Sequence, residues 1–109
     1  PVVLQYMRTA IEYIQNHLDE KITLNDIADI CGLSPCYFST IFSIHAGCSF
    51  SAYLRNKRIQ MACRKLDTTE ETFASIAFEC GFCAVSAFQR AFKENTGLSP
   101  GEYKKRSLV

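Results

Sequence analysis

Residues 24–33 read Leu24-Asn25-Asp26-Ile27-Ala28-Asp29-Ile30-Cys31-Gly32-Leu33, and residues 73–82 read Phe73-Ala74-Ser75-Ile76-Ala77-Phe78-Glu79-Cys80-Gly81-Phe82. At an offset of 49, Ile27, Ala28, Cys31 and Gly32 fall on Ile76, Ala77, Cys80 and Gly81. Leu24/Phe73 and Leu33/Phe82 are apolar in both copies. Each stretch has the pattern of a short helix running into a glycine turn. The isoleucine follows an apolar residue by three positions, on one helix face. The alanine is small where a second helix can cross closely. The glycine stands where the chain leaves the helix, a position that favours left-handed backbone.

The correspondence continues past the turn, where the offset becomes 50 because the second copy has one extra residue. Phe38 then matches Phe88, Phe42 matches Phe92, Gly47 matches Gly97, Ser49 matches Ser99 and Tyr53 matches Tyr103. Each phenylalanine pair is four residues apart, which pins one face of a second helix to a core and leaves the other face free. Ser34-Pro35 reads as an N-cap followed by a first-turn proline. The unit is therefore helix, turn, helix, present twice. A chain carrying it twice is suited to gripping two places on one long, regular ligand, for which DNA is the candidate.

Working outward, the pattern predicts an all-α chain of about seven helices and no strand. Helix 4–18 carries Leu4, Met7, Ala10, Ile11, Ile14 and Leu18 on one stripe. Thr23 caps helix 24–31, and the first reading helix is 35–45. Ser49 caps a long helix reaching Leu66, and residues 67–71 form a polar loop. Thr72 caps helix 73–80, the second reading helix is 84–95, and Ser99-Pro100 opens a last helix to about Lys105. The domain division is a first lobe over 4–48, a linker helix over 49–66 and a second lobe over 67–109. Each lobe alone is too short to bury much core, so the linker helix must support both. At about 1.5 Å per residue it is about 27 Å long. With packing on both sides, it is expected to hold the reading helices about one DNA turn, 34 Å, apart.

Apolar residues make up 48% of the 109, with eight Phe and five Tyr, which is enough to fold and argues against disorder. No run is long enough to cross a membrane, and no secretory signal is visible. The chain opens on Pro1 without a methionine, as expected of a domain excised from a longer protein. Net charge is only +1. However, acidic groups dominate residues 1–33, whereas Arg55, Lys57, Arg58, Arg64 and Lys65, and then Arg90, Lys93, Lys104, Lys105 and Arg106, lie beside the two reading helices. That placement favours phosphate contact. Six cysteines invite a zinc or redox reading, and Cys80 and Cys83 have CxxC spacing. Cys31, the repeat partner of Cys80, has no such neighbour, and Cys36, Cys48, Cys63, His17 and His45 supply no second close pair. No metal and no cofactor is expected, and free thiols fit a cytoplasmic location. No nucleophile with a paired base and no phosphate loop is present, so no enzyme is expected.

The pattern resembles the AraC/XylS family of bacterial transcription regulators. The residues carrying the resemblance are Ile27-Ala28, Cys31-Gly32-Leu33-Ser34, Phe42 with Gly47, Tyr53-Leu54-Arg55, Arg58-Ile59 and Ala62. They continue as Ile76-Ala77, Cys80-Gly81-Phe82, Ser86, Phe88, Arg90, Phe92-Lys93, Gly97, Ser99-Pro100 and Tyr103. The resemblance implies a seven-helix domain with two helix-turn-helix lobes, promoter binding, and activation through RNA polymerase. It also implies a separate effector or dimerisation domain, absent from this fragment. By position, the groove-facing residues are Cys36, Tyr37, Ser39, Thr40 and Ser43 in the first lobe and Ala84, Val85, Ser86, Gln89 and Arg90 in the second. The alternative for Cys36 is an exposed or half-buried bystander, for Tyr37 packing on the domain surface, and for Ala84 and Val85 simple helix filling. Arg90 is suited to reading guanine bidentately, and Gln89 to adenine or a phosphate. The first lobe has mainly short side chains where other members carry arginine or glutamine. Phosphate candidates are Arg55, Lys57, Lys93 and Lys104, with the helix starts at Ser49 and Ser99. Arg58 is either a phosphate ligand or a structural bridge between the lobes. The expected function is sequence-specific binding of double-stranded promoter DNA in successive major grooves of an asymmetric site. The alternative is a helical protein-interaction module that keeps the fold without base reading.

Overall fold

The computed structural model of the protein describes residues 2–107. Among them are seven helices and no strand: α1 (Val2–Asn16), α2 (Leu24–Cys31), α3 (Pro35–Ala46), α4 (Phe50–Thr68), α5 (Phe73–Glu79), α6 (Val85–Thr96) and α7 (Pro100–Ser107). The chain divides into two compact units, the first ending at Leu54 and the second beginning at Arg55, so the division falls within α4.

In the first unit, Thr23 and Asp26 form a reciprocal capping box at the head of α2, and Gly32 ends it at φ 73°. The next amide, Leu33, bonds back to Ala28 O at 2.9 Å. This is the left-handed helix stop expected of glycine. It turns the chain so that α2 and α3 meet at 93°. Met7, Ala10, Ile14, Ile22, Ile27, Ala28, Phe38, Phe42, Phe50 and Leu54 form the core. Phe38 and Phe42 are fully buried. Truncating either to alanine is expected to cost about 3–5 kcal/mol.

The second unit repeats this arrangement. Gly81 has φ 89°, and the Phe82 amide bonds to Ala77 O at 2.9 Å. Ile59, Ala62 and Leu66 of α4 pack with Ile76, Ala77, Cys80, Phe88, Ala91 and Phe92. The duplication extends to ring geometry. Tyr53 stands edge-on to Phe42 at 5.3 Å and 83°, and Tyr103 to Phe92 at 5.4 Å and 79°. The first turns of α4 and the whole of α7 are thus equivalent elements of the two copies. Ser49 and Ser99 cap them by accepting the Ala52 and Glu102 amides at 3.1 and 3.2 Å.

The clearest departures from the sequence expectation are the register of α1 and the ends of α1 and α4. Leu4 is exposed, and Val3 packs on the core instead, giving the stripe Val3, Met7, Ala10, Ile14. α1 stops at Asn16 rather than 18; His17 Nδ1 bonds the Tyr13 carbonyl at 2.8 Å and its ring stacks on Tyr13. α4 continues through Thr68 into the stretch expected as loop. The Thr68 and Thr69 hydroxyls donate to the Arg64 and Lys65 carbonyls, both at 2.7 Å, and the Thr69 amide bonds the same Lys65 carbonyl at 2.9 Å.

Candidate nucleic-acid interface

In each unit the second helix of the motif has one face buried by its phenylalanine pair and the opposite face in solvent. On α3 the buried residues are Phe38, Ile41 and Phe42. Cys36, Tyr37, Thr40 and Ser43 are exposed and Ser39 is half-buried. Ser34 caps α3 by accepting the Tyr37 amide at 3.2 Å. The Thr40 hydroxyl donates to the Cys36 carbonyl at 3.0 Å, which leaves its oxygen facing outward as an acceptor. No Lys, Arg, Asp or Glu occurs between Pro35 and Ala46.

On α6 the buried residues are Phe88, Ala91 and Phe92. Ser86, Gln89 and Arg90 are exposed and Val85 is half-buried. Ala84 lies just outside the helix as its N-cap, with no side-chain cap bond. Ser86, Gln89, Arg90 and Lys93 line an open hollow of about 500 Å³, together with Glu94 and with Ser99 at the head of α7. The hollow therefore combines two cationic side chains, an amide and two hydroxyls. Glu94 was not singled out from the sequence, although its spacing of four from Arg90 places both on one helix side.

The expected phosphate residues occupy different environments. Arg55 and Lys93 are exposed, and Lys57 is half-buried. Ser99 takes part in a capping box: its amide donates to Glu102 Oε1 at 3.1 Å. That bond holds the Glu102 carboxyl below its ordinary pKa, with the Lys93 charge a smaller contributor. Arg58 is half-buried; burial lowers its pKa, and the neighbouring Cys83 and Cys80 sulfurs act in the opposite sense. Lys104 turns inward within the second unit, its ammonium donating to the Leu66 and Thr69 carbonyls at 3.0 and 2.6 Å. That geometry is a cap on the end of α4. The six cysteines are free, and burial pushes the Cys80 thiol up to about 11. Among the described residues no three His, Cys, Asp or Glu side chains converge as a metal site, and no single helix is long and apolar enough to cross a membrane.

Residues 27–106 match the family model of a helix-turn-helix domain. The regulatory protein PocR of Salmonella typhimurium is 33% identical over 100 residues, covering 92% of this chain; the chain spans only 33% of PocR. The regulatory protein SoxS of the same organism is 28% identical, and the match covers 94% of this chain and 95% of SoxS. Among solved structures, the C-terminal domain of AraT, a response regulator from Geobacillus stearothermophilus, superposes with a TM-score of 0.89 at 33% identity, over 97% of this chain and 85% of that one. The DNA-binding domain of the global transcriptional factor AdpA, solved in complex with a target DNA, superposes with a TM-score of 0.86 at 25% identity, over 89% of this chain and 87% of that one.

Proposed function

This chain belongs to the AraC/XylS family of helix-turn-helix transcription regulators, and from that membership we propose that it binds one asymmetric promoter site through α3 and α6 in successive major grooves. The observation that carries the reading is the duplicated motif: in both units a phenylalanine pair buries one side of the second helix and leaves polar or uncharged side chains outward. A straight helix with a free face fits the width of the major groove. The two outward faces differ in sequence, so the site they read is asymmetric.

Arg90, Gln89, Ser86, Val85 and Ala84 are the proposed base readers of the second unit, and Cys36, Tyr37, Ser39, Thr40 and Ser43 those of the first. Arg55, Lys57 and Lys93 contact phosphate, with the helix starts capped by Ser49 and Ser99 supplying backbone amides. Arg58 is proposed as a positioning residue that braces the Cys80–Cys83 turn, since burial already perturbs its guanidinium. Lys104 is omitted because its ammonium already holds two carbonyls. Contact with RNA polymerase, and regulation through a further domain, belong to the same proposal.

Random-site selection with the purified chain, followed by sequencing, tests the reading. An enriched asymmetric motif of about 20 bp is expected, bound with an affinity that falls steeply as salt rises. Absence of any enriched motif would exclude it and favour a protein-interaction module.

A further inference from the structure

Ile44 is 71% exposed, the most exposed of the large apolar side chains among the described residues. It lies seven positions after Tyr37 on α3, which brings the two within about 20° of the same helix side. Tyr37 is itself 49% exposed, and Thr40 lies between them on that side. Phe38 and Phe42 turn away from this side into the core, whereas Ile41, four residues after Tyr37 and three before Ile44, is its buried margin. A single exposed isoleucine elsewhere would call for no explanation. This one stands one residue after Ser43 and four after Thr40, at the margin of the face proposed to read bases.

The chemistry of that face is restricted. Pro35–Ala46 contains no Lys, Arg, Asp or Glu, whereas α6 places Arg90, Lys93 and Glu94 on its exposed surface. α3 therefore has no bidentate partner for guanine and no carboxylate for cytosine. Its outward groups are hydroxyls, a thiol, a phenol, the His45 imidazole in the last turn and the Ile44 side chain. Among base edges in the major groove, the apolar group is the C5-methyl of thymine. An aliphatic side chain held against those edges has that one complementary partner.

We infer that Ile44 is a specificity residue that packs on thymine methyl groups, so that the half-site facing α3 is selected for its thymines while the half-site facing α6 is selected by hydrogen bonding. This rests on the DNA-reading role proposed for α3. It adds a residue and a base preference that the matched family positions do not supply.

Replacing thymines of the selected site one at a time by deoxyuridine removes only the methyl group and keeps the pairing. For the unaltered chain, at least one replacement in the α3 half-site is expected to weaken binding about fourfold, the worth of one buried methyl-sized group. For Ile44→Ala, overall affinity falls and that replacement no longer matters; Ile44→Val retains most of the sensitivity. The slope of log affinity against log salt is expected to be the same for all three chains, because no ionic contact is changed. Circular dichroism checks that the variants fold, which is expected of a substitution at an exposed site. A site indifferent to every thymine methyl in that half, or equally sensitive in Ile44→Ala, would overturn the inference while leaving DNA binding intact. Unchanged affinity of Ile44→Ala would likewise overturn it. Failure to select any site would overturn the DNA reading and this inference together.

Discussion

The Lys104 ammonium of α7 donates to the Thr69 carbonyl at 2.6 Å, and to the Leu66 carbonyl at 3.0 Å, just where α4 ends. A cation at a helix C-terminus meets the open carbonyls and the negative end of the helix dipole. Lys104→Met is expected to lower stability by about 2 kcal/mol, the loss of charged hydrogen bonds in a part-buried site. Urea denaturation measures this. The salt dependence of DNA binding is expected to stay unchanged in Lys104→Met, whereas Lys93→Gln reduces the log–log slope by about one. The reverse pattern would make Lys104 the phosphate ligand.

The duplication was legible from spacing because the features it predicts are local. Ile27 and Ile76, and the pairs Phe38/Phe42 and Phe88/Phe92, are buried to completion, and Thr23, Ser34, Ser49, Thr72 and Ser99 each cap the helix that follows. What escaped reading depends on partners far along the chain or on competing roles of one residue type. The carbonyls that Lys104 holds are 35 and 38 residues away, and no periodicity announces them. Threonine favours turns and also bonds back to a helix carbonyl, so Thr68 looked like loop and is helix. The register of α1 was ambiguous because Val2, Val3 and Leu4 are all apolar. Nothing in the repeat marks Ile44, whose counterpart at the offset of 50 is Glu94.

α3 and α6 differ at their N-caps. Ser34 accepts the Tyr37 amide at the head of α3, but Ala84 offers α6 no such acceptor. Ala84 already has the extended backbone of an N-cap, φ −152° and ψ 151°. Ala84→Ser is therefore expected to stabilise the protein by about 1 kcal/mol, and Ser34→Ala to destabilise it by a similar amount. In thermal melts the two shifts should be opposite in sign and about 4 °C or more. A neutral Ala84→Ser would mean that the amides at the head of α6 are already satisfied.

Glu102 and Glu79 give stability an acid limb. The Ser99 amide depresses the Glu102 pKa, and the Lys65 ammonium, 2.8 Å from Glu79 Oε2, depresses that of Glu79. Both folded-state values lie below the ordinary 4.5, so the unfolded chain takes up protons first as pH falls. Their contribution is complete above the unfolded pKa and is lost as pH drops through the folded values. In denaturation series from pH 7 to pH 3, Glu102→Gln is expected to lie below the unaltered protein at neutral pH and to converge with it in acid. A gap that persists at pH 3 would mean that the glutamate acts by packing and not by charge.

Arg90 is the residue on which base discrimination in the second unit is expected to turn. It is exposed on α6, in a hollow shared with Gln89, Lys93 and Glu94. A guanidinium can donate two parallel bonds to guanine O6 and N7, which a lysine ammonium cannot match in geometry. Arg90→Ala should therefore weaken binding to the selected site by about 1–3 kcal/mol and relax the preference at one base pair. Arg90→Lys should recover part of the affinity, through charge, but little of the base preference. Repeating the site selection with each variant separates the two effects. If Arg90→Ala loses affinity equally on every sequence and lowers the salt slope by about one, Arg90 holds a phosphate, and base reading in this unit falls to Gln89 and Ser86.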